Sequence, residues 1–188
     1  MADARMPSGL TEAQLAKLHC GRDILLSHGM QLEKQFIQHG SVTVYEHSLS
    51  VALMCVRIAD RLKIRVDRPS LVRGALLHDY FLYDWHVKDK SHRLHGFHHA
   101  KRAMLNADRD FKLNPTEKNM ILSHMFPLNL TVPRHRESVI LCLSDKLCAA
   151  KETLCGIGKR LKTRKINLNI NASNKRKDGH RPNEHSAS

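Results

Sequence analysis

An imidazole and a carboxylate stand side by side at His78 and Asp79, inside the apolar run Leu76-Leu77-His78-Asp79-Tyr80. Burying a charge without a partner is costly, and one metal ion compensates both groups at once. Further donors of the same two types lie along the chain: His47 upstream, then His99, His124 and Asp145 downstream, each inside a segment with helical periodicity. The order reads His, His-Asp, His, His, Asp. Neutral imidazoles and carboxylates converging from rigid elements suit Mn, Fe, Co, Ni, Zn or Mg better than Ca. Taken singly, each residue has a plainer reading: His47 as a surface or capping residue, His124 as a hydrogen-bonded core histidine, Asp145 as a solvated helix residue. It is the ordered set that points to a divalent-metal site.

That order resembles the HD superfamily of metal-dependent phosphohydrolases, over residues 40–155. More narrowly, LLHDYFLYDWH (76–86), HGFHHAKRA (95–103), SHMFPL (123–128) and SDKLCAAKE (144–152) are similar to a small group of bacterial HD-domain proteins described only by reaction class. The resemblance implies one divalent ion held by His47, His78, Asp79 and Asp145, and a second held by Asp79, His99 and His124, giving one or two ions per chain with Asp79 as the bridge. Within His95-Gly96-Phe97-His98-His99, the family follows this ligand with proline and, four residues after it, with a small residue. Ala103 keeps the second feature, and Ala100 stands where the proline would be. His99 is therefore the expected ligand, and His95, His98 and Arg102 are candidates for substrate contact or ligand support. Asp79, Lys101 and Lys146 are the candidate catalytic residues, the lysines (with Arg102) as cations for phosphate. Ligating histidines usually donate their second ring nitrogen to an acceptor, a role open to Glu46, Asp84 and Glu117. His86 and His92 flank the expected loop and stay unassigned.

The implied reaction is hydrolysis of a phosphoester in a small phosphorylated metabolite, a nucleotide first, by metal-activated water. Two other classes remain open. One is a di-iron HD-type oxygenase; the other is a non-catalytic module that binds a nucleotide or partner, with the basic C-terminus making the contacts.

The elements that must position these donors read as an all-α, single-domain helical bundle. Amphipathic helices are expected over 11–38 and 42–62, the second with His47 in its first turn. A helix opens near Pro69, where a proline lacks nothing the first turn needs, and carries His78-Asp79 near its end. Residues 83–97 read as a loop and 98–108 as a helix. Asn114-Pro115-Thr116-Glu117 starts another helix, ending before Pro127, and Pro133 opens the last. No stretch alternates long enough to demand a strand. The chain divides into N-terminal helices over 1–39, the HD-type domain over 40–155 and a basic extension over 156–188.

At 188 residues the chain can bury a core without disulfides. Its five cysteines are odd in number and form no Cys-x-x-Cys pair, as expected of a reducing cytosol. No apolar stretch reaches the length of a membrane span and no secretion signal opens the chain, so a cytoplasmic protein with no membrane partner is expected. The net charge of +13 is unevenly placed: from residue 156 onward nine Lys or Arg face two acids, a net of +7. With little apolar periodicity after Ile170, this tail is expected to be disordered and solubilising, with salt-sensitive nucleic-acid binding as its alternative role.

Overall fold

A computed structural model describes residues 11–83 and 95–178, with side chains placed over 11–83 and 98–158. Among these residues it is all-α apart from one short hairpin. Helices α1 (Glu12–Lys17), α2 (Arg22–Leu26) and α3 (His28–Leu32) form a short N-terminal layer. Strands β1 (Ile37–His39) and β2 (Val42–Thr43) pair antiparallel. The long helices follow: α4 (Val44–Arg61), α5 (Arg68–Leu77), α6 (His95–Phe111), α7 (Pro115–Ser123) and α8 (Arg136–Asp178).

Local chemistry sets the starts of the site-bearing helices. Thr43 and Glu46 make a reciprocal capping box at α4, and Asn114 and Glu117 make another at α7, each satisfying amides that the first turn leaves open. Proline stands in the first turn of both α5 and α7. The hairpin was not visible in the sequence because its strands are too short to alternate. Gly40 makes it possible by taking φ +63° at the turn, a conformation that costs glycine little.

Helix α4 is the central element, packed against α5 on one side and α8 on the other, while α7 closes over α5, α6 and α8. Val51, Ala52, Cys55 and Val56 of α4 meet Leu71, Val72, Leu76 and Leu77 of α5, Met120 and Ile121 of α7, and Leu141 of α8, all buried. Gly74 lets α5 and α7 approach closely: a Cβ there would stand 2.7 Å from the Met120 thioether. Arg73 ties three elements together, donating from Nε to Glu117 Oε1 at 2.7 Å and from a guanidinium nitrogen to the Phe111 carbonyl at 3.0 Å, with Asp23 at 3.3 Å.

Two expectations change. Helix α6 begins at His95, three residues before the expected start, and residues 84–94, including Asp84, His86 and His92, lie outside the described residues. The extension read as disordered from residue 156 is instead helical as far as Asp178. No proline interrupts residues 136–178, and Leu, Lys, Arg and Ala carry helix propensity through a segment of poor apolar periodicity. All five cysteines are unpaired. Among the described residues no helix is long and apolar enough to cross a membrane.

Candidate metal centre

Five helices each deliver a donor to one buried point. His47 lies in the first turn of α4, His78 is the C-cap of α5 with Asp79 directly beyond, His99 lies in α6, His124 is the C-cap of α7, and Asp145 lies in α8. His47 and His78 have no exposed surface, and Asp79, His99, His124 and Asp145 are also buried.

The carboxylate of Asp79 divides these donors into two groups. Its Oδ2 lies 3.4 Å from His78 Nε2 and 4.0 Å from His47 Nε2. Its Oδ1 lies 3.4 Å from His99 Nε2 and 3.5 Å from His124 Nε2. Asp145 Oδ1 completes the first group, 3.1 Å from His47 Nε2 and 3.6 Å from His78 Nε2. In the second group, His99 Nε2 and His124 Nε2 are 2.9 Å apart. Donors about 2.1 Å from a single ion, at octahedral or tetrahedral angles, stand roughly 3.0–3.4 Å from one another. Among the described residues three sets lie close enough to hold an ion: His47-His78-Asp145, Asp79-His99-His124 and, reaching His47 from its other side, the less buried His39-His47-Glu152. Among the described residues, buried His78 Nε2 and Asp79 Oδ1 have no hydrogen-bond partner, a costly state that a cation between the groups relieves.

The outer nitrogens are fixed by the fold. His78 Nδ1 donates to the Ala75 carbonyl at 2.8 Å and His124 Nδ1 to the Ile121 carbonyl at 2.7 Å, the same three-residue reach at two helix ends. This leaves both Nε2 atoms bare toward the centre, the tautomer a metal needs. His47 Nδ1 donates instead to Glu152 Oε2 at 2.9 Å. Glu152 escaped the sequence reading, although its place two helical turns beyond Asp145 is the signal that finds it. Gln38 escaped too: from β1, its amide donates to Asp79 Oδ2 at 2.6 Å. The acids expected in the supporting role are employed elsewhere, Glu46 in the α4 cap and Glu117 in the α7 cap and with Arg73.

The electrostatics follow from crowding. Burial opposes the charged form of His47, but hydrogen bonds to Asp145 and Glu152 outweigh it and push the imidazole up to about 10. For His124 burial prevails over the attraction of Asp79 and takes it down to about 4. Burial works against the ionised Asp79 and Asp145 too, yet the surrounding imidazoles hold both below the ordinary carboxylate range.

A cavity of about 690 Å³ opens over this centre, bounded by Gln38, His39, Met125, Leu128, Lys146 and Ala149 around the donors. Lys146 lines this cavity. Its ammonium is already engaged by the His124 carbonyl at 3.1 Å and by the Cys142 carbonyl and sulfur at 3.3 and 3.0 Å. Lys101 and His98 are exposed and do not line the cavity. Arg102 stacks over the Tyr83 ring, 4.9 Å from its centroid. The side chain of His95 lies outside those described. Of the residues expected to meet substrate, Lys146 and Asp79 are at the cavity; Lys101, His98 and Arg102 are not among its lining.

A family model described as HD domain matches residues 44–150, which include every one of the six donors. No curated protein and no solved structure matches the chain.

Proposed function

The chain belongs to the HD domain family, a family of metal-dependent hydrolase type, and from that premise we propose that it hydrolyses a phosphoester of a small phosphorylated metabolite, with a nucleotide as the first class to test. The observation that carries this reading is the division of Asp79, one oxygen facing each set of buried donors. The residues present fit two divalent ions, one within His47, His78, Asp145 and Asp79 and one within Asp79, His99 and His124. Ions bound there supply positive charge for the phosphoryl oxygens and lower the pKa of a coordinated water toward neutrality.

The rest belongs to the chain. Asp79, steadied by Gln38, spans both sets and fixes their separation. The backbone carbonyls of Ala75 and Ile121 hold His78 and His124 with their acceptor nitrogens inward. Burial of the donors keeps bulk water from competing, which strengthens every charge interaction in the site. Lys146, anchored at the cavity wall, contributes a fixed positive charge near an incoming phosphate.

The test is phosphate release from a panel of nucleotides and simple phosphomonoesters by protein loaded with Mn, Fe or Co, beside the Asp79→Ala variant. Metal-dependent release that the variant lacks supports the reading. Bound metal without release from any phosphoester overturns it, and oxygen consumption by the iron form would replace it with oxygenase chemistry.

A further inference from the structure

A second cavity, of about 360 Å³, lies outside the metal centre, between the N-terminal layer, the hairpin, α4 and α8. Its size falls within the range of small-molecule sites, roughly 300–1,000 Å³. Three cations from three elements line it, Lys17 of α1, Arg57 of α4 and Lys151 of α8, all exposed. Among the described residues none of the three has a carboxylate within ion-pair distance. The acid in the lining, Glu152, is committed to His47. The rest of the wall mixes apolar Val42, Leu53, Met54 and Cys148 with the polar groups of Gln14, His39, Ser41 and Ser50.

Three like charges around an apolar floor repel one another and gain from an anion that sits among them. We propose that this cavity is a binding site for a small organic anion, a phosphate or carboxylate carried on an apolar or aromatic body, and that its occupancy tightens metal binding at the His47 set. The coupling has a physical route. Glu152 forms part of this cavity's wall and holds His47 Nδ1. His39 lines both cavities, with its ring 5.5 Å from that of His47. Negative charge placed beside this pair favours a cation on the other side of His47, and linkage makes the effect mutual.

The full-length protein carrying a labelled methionine methyl reports directly, because Met54 lies in the floor. Inorganic phosphate, phenyl phosphate, benzoate and adenosine 5′-monophosphate are titrated into the metal-free form, beside a Lys146→Ser variant that separates any binding at the principal cavity from binding at this one. Saturable movement of the Met54 signal by phenyl phosphate is expected, weakened by salt and at least tenfold weaker in the Arg57→Ser/Lys151→Ser variant, whose exposed substitutions leave the melting curve in place. The nucleotide and benzoate arms decide which anion class is preferred. A Met54 signal unmoved at millimolar concentration, or equal binding by the double variant, overturns the site; inorganic phosphate binding as tightly as phenyl phosphate overturns the apolar body. For the coupling, Mn affinity measured by calorimetry should rise several-fold with the tightest anion present, and an unchanged value removes that part. Neither readout depends on turnover, so this inference and the proposed hydrolysis fail separately.

Discussion

Removing the Glu152 carboxylate tests the centre at its least obvious support. Glu152 is 11 % exposed in its side chain and accepts from His47 Nδ1 at 2.9 Å, so the bond is charge-assisted and largely shielded from water. Bonds of that kind contribute about 1.5–3 kcal/mol, and groups supporting a ligating histidine typically govern metal affinity by about 10- to 100-fold. Glu152→Leu should therefore weaken the ion held by His47, His78 and Asp145 by that factor, while Glu152→Gln, whose amide oxygen still accepts the proton, should lose far less. In the metal-free protein the same change should pull the His47 imidazole down from about 10, because one of the two acceptors that raise it is gone. Competition calorimetry with Mn gives the affinity, and NMR titration of the His47 ring gives the second value. A folded Glu152→Leu variant with wild-type metal affinity would refute the reasoning.

Metal binding at the His47 set should release at least one proton at pH 7, since His47 is protonated until about 10 when the centre holds no metal; calorimetry in buffers of different ionisation enthalpy counts it. A raised imidazole stabilises the fold below its unfolded value of about 6.5 and loses that contribution as pH climbs to about 10. The metal-free protein should accordingly lose stability along that alkaline limb, and an upward slope there would contradict the ion pairs. Glu33 is fully buried with both carboxylate oxygens unpartnered among the described residues, and burial, aided by Asp79, lifts it well above the usual range. Its ionisation favours the unfolded chain, so Glu33→Met should gain about 1–3 kcal/mol at neutral pH, or about 3–10 °C in a domain of this size; a lower melting temperature would show a partner role instead. On the two-ion reading His99→Ala should lower the metal content by one ion and His98→Ala should not, by metal analysis with mass spectrometry; the reverse pattern would shift the α6 register by one.

The sequence made the donors legible because each stands at a position helical periodicity could locate, and the order of types along the chain does not depend on knowing how the helices pack. The structure brings His47, His78 and Asp145 together, and Asp79, His99 and His124 together, with Asp79 between the two sets. What supports them was harder to read. Glu152 matters only once α8 is known to run unbroken past Asp145 in the right phase, and Gln38 only once a strand of three residues carries it to Asp79. Lys101 lies two residues from a donor, yet a step of two on a helix turns a side chain roughly 200° away, and it faces solvent.

Helices α5 and α7 both terminate at their donors, His78 and His124. The final peptide units of a helix gather a partial negative charge of about half an electron, so two such ends stand beside Asp79 and Asp145. Together with the two carboxylates, these ends favour a cation between them. On the proposed function, the ions should bind before an anionic substrate, and a bound phosphate should slow their departure. The supply of metal would then set how much substrate the protein holds.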